Sequence, residues 1–290
     1  MASLMEWVEG ARPRTLPAAI SPVLVGTGAA AAIGDSDVGY GLLALAVALL
    51  LQIGVNYAND YSDGIRGTDQ ARVGPVRLVG QGLAAPSSVK AAAYLSFFSA
   101  AVFGLALVAI SQTWIFIPIG LACIVAAWRY TGGSNPYGYR GLGEVMVFIF
   151  FGLVATLGTL YTQTLTLTIP GLLGAVGVGA LASAILVANN LRDRPGDAAT
   201  AKNTLAVRLG DARTRRLWIV LVAVSLLAAA GCALWRPWSL LALASAGLAL
   251  GPLRTLRSGA TGPALIPVLA GTGKLQLGYA VLLAAGLALG

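Results

Sequence analysis

The sequence predicts an all-α membrane protein: about nine transmembrane helices over residues 1–290, read as a single domain, with its functional machinery at the cytoplasmic end. Three observations carry this expectation. Of the 290 residues, 57% are hydrophobic and only 10% are charged, against about 25% charged in a soluble domain, and the mean hydropathy is +0.81. Apolar runs of spanning length follow one another along the chain. The basic residues are asymmetrically placed: with the N-terminus in the cytoplasm, only Arg236 of the 19 falls outside, the pattern of the positive-inside rule.

The N-terminal MASLMEWVEGARPRTLP carries acids and an Arg-Pro-Arg before its first apolar run, which does not fit a cleavable signal peptide. The first expected span is 15–33. The second, 39–58, runs into Asn56-Tyr57-Ala58-Asn59-Asp60-Tyr61-Ser62-Asp63. Spans at 90–110 and 113–129 share a very short outer connection, and 143–161 and 169–190 follow. The sixth ends in Asn189-Asn190-Leu191-Arg192-Asp193-Arg194-Pro195-Gly196-Asp197, where Pro195 and Gly196 are expected to break the helix, so that Asp193 and Asp197 need not share a face. Spans at 216–234, 237–252 and 273–289 complete the set. The apolar but Pro-broken segment 262–270 is expected to lie along the inner interface. Several spans are rich in Gly and Ala, which permits close helix packing in lipid. The outer loops are short and the inner ones, 59–89, 130–142, 191–215 and 253–272, are long, so functional machinery is expected on the inner face.

Both acidic stretches end apolar runs, where uncompensated charge is costly. At about 100° per residue, Asn56, Asn59, Asp60 and Asp63 fall on one helical face, and Asn56-x3-Asp60 is echoed by Asn189-x3-Asp193. The chain has no His, so a metal must be bound through oxygen and proton transfer must use a carboxylate, Tyr or water. Carboxylate and amide oxygens ringed by Arg66, Arg72, Arg77, Arg140 and Lys202 suit magnesium bridging to a phosphate-bearing substrate; any one of these cations equally suits topology setting near anionic lipid. Cys123 and Cys232 stand alone in apolar runs and read as packing residues. No Walker-type loop supports a nucleotide, and no aromatic-rich basic stripe supports nucleic acid.

Four stretches resemble the UbiA superfamily of intramembrane prenyltransferases: Ala11–Pro17 with Pro22–Thr27, Asn56–Asp69 with Gly74–Arg77, Tyr137–Glu144, and Asn189–Gly210. They are most similar to the branch that prenylates 1,4-dihydroxy-2-naphthoate in menaquinone synthesis. The resemblance implies a UbiA-type bundle of nine helices in a bacterial cytoplasmic membrane. It also implies a polyprenyl diphosphate donor, an aromatic acceptor and two magnesium ions. Asn56, Asp60 and Asp63 would hold one ion, and Asp193 and Asp197 the other. Asn59-x3-Asp63 fits the same motif, and Asp69 would be a further acidic position. Arg140 and Lys202 would contact diphosphate, with Arg66 and Arg77 further candidates; Ala201-Lys202-Asn203-Thr204 stands where related sequences often read Gly-Lys-Arg-Thr, so the resemblance carries a phosphate role over to Lys202 but not to Asn203. Asn59, Asn189 and Asn190 are candidate substrate contacts. Tyr57, Tyr61, Tyr137 and Tyr139 can stabilise an allylic cation through their ring faces, or serve as interfacial anchors. The rival readings are another aromatic acceptor such as 4-hydroxybenzoate and, in a different class, a cation-coupled transporter, whose site would be expected near the bilayer midplane.

Overall fold

The computed structural model describes residues 2–67, 76–200 and 202–290; Asp69, Arg72, Gly74 and Ala201 lie outside them. Among the described residues every regular element is helical. A short helix α1 (Leu4–Gly10) opens on Ser3, whose hydroxyl accepts from the Glu6 backbone N–H while the Glu6 carboxylate accepts from the Ser3 N–H, a reciprocal cap. Then come α2 (Pro17–Ala31), α3 (Val38–Ile65), α4 (Pro86–Ser111), α5 (Phe116–Arg129), α6 (Gly143–Thr164), α7 (Ile169–Ala199), α8 (Leu205–Cys232), α9 (Pro237–Arg257) and α10 (Gly262–Leu289). Among the described residues, α3, α4 and α6 to α10 are seven helices long and apolar enough to cross a membrane; α2 and α5 are apolar but shorter. Each overlaps one of the expected segments. Large apolar side chains such as Leu95, Phe98 and Leu121 face outward on α4 and α5, as lipid contact requires and water would not favour.

The helix ends differ from the sequence expectation in four places. Helix α3 continues past residue 58 to Ile65, so the first acidic motif is helical. At 1.5 Å per residue α3 is about 42 Å long, well beyond a hydrocarbon core of about 30 Å, and its polar end projects from the apolar slab. Helix α7 does not break at Pro195; it runs to Ala199, which puts Asn189, Asp193 and Asp197 on one face at i, i+4 and i+8. Helix α8 begins at Leu205, well before 216, with Gly210 (φ 76°, ψ 174°) interrupting its first turns. The segment 262–270 is not separate from the last helix: a 3₁₀ turn at Gly262–Leu265 leads directly into α10, and Leu265 and Val268 are fully buried.

The main core lies among α2, α7, α8, α9 and α10. Tyr279 is fully buried and donates to the Ser225 carbonyl at 2.9 Å, and Trp218 donates from its indole nitrogen to Thr272 at 3.1 Å. Such polar ties join helices where lipid offers no hydrophobic drive between them. Helix α6 meets α7 backbone to backbone: a Cβ on Gly152 would lie 2.6 Å from the Gly179 Cα, so only glycine permits this approach. The segment Phe148–Val154 of α6, at this crossing, is π-helical.

Candidate active site

A cavity of about 590 Å³ lies between α2, α3, α4, α5, α6 and α7, within the range of small-molecule sites. Its wall on α3 is a stripe with helical spacing: Ala44, Ala48, Leu51, Gln52, Val55, Asn56, Asn59 and Asp63. Ala44 to Asp63 spans a rise of about 28 Å, so the cavity is a long apolar slot ending in a polar mouth. That mouth is lined by Arg12, Asn56, Asn59, Asp63, Arg77, Asn189, Asn190 and Lys202.

The stripe separates the two aspartates of the first motif. Asp63 is 2% exposed and lines the cavity; its carboxylate accepts from the Tyr139 hydroxyl at 2.6 Å and lies 3.6 Å from the Lys202 ammonium. Asp60 sits on the flank of the stripe, fully buried and outside the lining. Its two oxygens accept from the Leu78 and Val79 backbone N–H groups at 2.7 and 3.0 Å. Asp60 thus folds the 76–84 segment back against α3. Asn59 lines the mouth and accepts from the Thr131 hydroxyl at 2.8 Å. Asn56 donates to the Ala11 carbonyl and to Thr15 at 2.8 and 2.9 Å, and Gln52 donates to the same Thr15 at 2.9 Å. Those bonds hold the segment before α2 against α3.

On α7, Asn189 and Asn190 line the cavity, and Asp193 and Asp197 continue their face beyond it, both buried. Arg192 donates to both oxygens of Asp193 at 2.7 Å and to the Asn189 side-chain oxygen at 2.8 Å. The turn after α7 reaches the first motif. Lys202 donates its backbone N–H to the Asp197 carbonyl at 2.9 Å while its ammonium faces Asp63, and the Asn203 N–H donates to the Tyr139 carbonyl at 3.0 Å. Two stretches far apart in sequence are therefore coupled through Lys202 and Tyr139. Among the described residues no three carboxylates converge on one point.

The other expected contacts divide. Arg77 and Lys202 line the mouth. Arg66 is exposed and donates to the Thr131 and Gly133 carbonyls, so it supports the 131–133 turn, and Arg140 is exposed outside the cavity. The Tyr139 ring lies between Arg66 and Lys202, 5.3 and 4.8 Å from its centroid. Tyr57 is placed away from the cavity, donating to the Trp7 carbonyl at 2.9 Å with its ring edge-on to Trp7. Tyr61 stacks on Trp128 beside Lys90, again outside the cavity. Tyr137 does line it, and burial pushes its phenol above the ordinary tyrosine range, so it stays neutral. Sequence reading missed Gln52, Thr131, Glu144 and Arg192. Gln52 was detectable as the residue one turn before Asn56 on the same face, and Glu144 as a lone acid opening an apolar run.

Residues 19–261 match the UbiA prenyltransferase family, and the chain belongs to that family. It is 56% identical over its whole length to the 1,4-dihydroxy-2-naphthoate octaprenyltransferase of Mycobacterium tuberculosis, covering 99% of that protein. It is 42% identical to the enzyme of the same name from Escherichia coli over 76% of this chain and 73% of that one. Among solved structures it resembles a UbiA homologue from Archaeoglobus fulgidus bound to GPP and Mg²⁺ (TM-score 0.66, 14% identity, 97% and 99% of the two chains), a likeness of fold.

Proposed function

We propose that this prenyltransferase moves a polyprenyl group from its diphosphate to 1,4-dihydroxy-2-naphthoate, with loss of the carboxylate, giving a demethylmenaquinol-type product. The observation that carries this reading is the shape of the cavity: a long apolar slot continuous with an oxygen-rich, cation-flanked mouth, in a chain closely similar over its full length to enzymes named for that acceptor. An isoprenoid tail fits the slot while its diphosphate meets the mouth. The donor set there, carboxylate and amide oxygens, suits magnesium, which is commonly held by one or two carboxylates plus substrate phosphates. Asn59 and Asp63 would hold one ion and Asp193 and Asp197 a second. When bound, the metal supplies neutralisation of the departing diphosphate. Lys202 and Arg77 add charge-assisted contacts to the phosphate oxygens, and the Tyr139 hydroxyl fixes the Asp63 carboxylate. The apolar slot limits capture of the allylic cation by water. The attacked ring carbon bears the carboxylate, so departure of CO₂ restores aromaticity without a strong base, in keeping with the absence of His.

The test uses purified protein, magnesium, a polyprenyl diphosphate and acceptor labelled with ¹⁴C in its carboxylate. Label is expected to leave as CO₂ in step with prenylated naphthoquinol. Efficient prenylation of 4-hydroxybenzoate with its carboxylate retained, and an inert naphthoate, would overturn the acceptor assignment.

The same reading places the N-terminus and the motif end of the bundle in the cytoplasm, one prenyltransferase domain spanning the chain. In a background lacking Cys123 and Cys232, cysteines introduced as Gln81→Cys and Ala198→Cys are expected to resist an impermeant thiol reagent in intact cells, whereas Leu234→Cys, 81% exposed at the opposite end, is expected to react. Reversed labelling would invert the orientation.

A further inference from the structure

The first turn of α6 carries a buried acid that the roles above leave unused. Glu144 is 6% exposed and tied twice to α7: its backbone carbonyl accepts from the Ser183 hydroxyl at 3.0 Å, and its Oε1 accepts from the Asn190 side-chain nitrogen at 2.9 Å. Its Oε2 is buried and has no hydrogen-bond partner among the described residues. We propose that Glu144 is a positioning residue, which fixes the Asn190 amide so that its carbonyl oxygen accepts a hydrogen bond from a ring hydroxyl of the aromatic acceptor. This deepens the function proposed above and rests on it for the identity of the ring.

The Oε1 of Glu144 faces the Asn190 amide as an acceptor. It therefore selects the amide orientation with nitrogen turned toward α6 and oxygen turned away. Asn190 lines the cavity, as do Leu186 and Tyr137. The side-chain oxygen of its neighbour Asn189 is already taken by Arg192 at 2.8 Å. No donor to the Asn190 oxygen exists among the described residues, so this oxygen is the acceptor on offer in that turn. It stands one turn before Asp193, which places a ring bound there next to the diphosphate end of the cavity. A phenol donating to an amide oxygen keeps its electron density high, which favours attack by the ring carbon. A buried acceptor left unpaired also penalises rings that lack the hydroxyl.

Substituting Glu144→Gln keeps the shape but lets either end of the new side-chain amide face Asn190, so the orientation is no longer dictated. The experiment measures equilibrium binding of 1,4-dihydroxy-2-naphthoate and of its two monohydroxy analogues to wild type and E144Q, with magnesium-dependent binding of geranyl diphosphate and the thermal transition measured alongside. Wild type is expected to bind the dihydroxy ring about tenfold more tightly than one of the two analogues. E144Q should bind all three within about threefold of one another, with geranyl diphosphate binding unchanged. Unaltered discrimination in E144Q, or no discrimination in wild type, overturns the proposal, as does a parallel loss of geranyl diphosphate binding, which would make Glu144 merely structural. Wild type that shows the binding preference yet never prenylates the naphthoate would sink the acceptor assignment and leave the pair standing.

Discussion

Asp63→Asn is expected to lower turnover roughly a thousandfold at nearly unchanged folded yield, while Asp60→Ala is expected to act on the fold. The two residues are three apart and both buried, yet their surroundings are opposite in kind. Asp63 faces the cavity between the Tyr139 hydroxyl and the Lys202 ammonium, where the proposed reaction would need a departing diphosphate neutralised. The asparagine variant keeps an oxygen for Tyr139 and gives up the charge and the oxygen that faces Lys202. Asp60 accepts from the N–H groups of Leu78 and Val79 in a fully buried site. Removing it leaves both donors unsatisfied, at roughly 1–3 kcal/mol each, and releases the segment that carries Arg77. Thermal unfolding in detergent and magnesium-titrated turnover separate the cases. An Asp60→Ala protein with wild-type stability and no turnover would identify Asp60 as the metal ligand and displace the Asn59-x3-Asp63 frame.

The bundle was legible in the sequence because hydropathy responds directly to lipid contact. The helix ends were not, because hydropathy reports where the hydrocarbon ends and α3 and α7 continue past it. The helical face shared by Asn56, Asn59, Asp60 and Asp63 was legible, but the end of the helix at Ile65 was not. Pro195 looked like a terminator, but its only lost backbone bond is to the carbonyl of Leu191, one turn from an end that comes at Ala199 anyway. The assignment of Asp60 and Asp63 turns on about 60° of rotation, and which direction faces the cavity is settled by the return of Leu78 and Val79. Glu144 had no sequence partner at a readable spacing, since Asn190 reaches it only through the close α6–α7 crossing at Gly152 and Gly179.

The second acidic motif is expected to respond as strongly as the first, provided its arginine is respected. Arg192 and Asp193 are each 6% exposed at the side chain and joined by two bonds of 2.7 Å. Asp193→Ala would leave a buried guanidinium without its carboxylate, at about 3–5 kcal/mol, and lost protein would pass for lost catalysis. Asp193→Asn keeps one oxygen for Arg192 but turns its amide nitrogen toward the second guanidinium N–H, so it is milder than alanine and is read against a thermal transition measured alongside. Its turnover at saturating magnesium is expected to fall roughly a thousandfold. If Asp63 and Asp193 serve one diphosphate, the double variant Asp63→Asn/Asp193→Asn should be little worse than the poorer single variant, because residues acting as a unit are strongly non-additive. Multiplicative losses in the double variant would mean that the two motifs act independently. The structural route for their coupling is Lys202, which is bonded through its backbone to Asp197 and faces Asp63 with its ammonium. Lys202→Met should therefore weaken the non-additivity as well as the rate, a result that a simple phosphate contact at Lys202 would not produce.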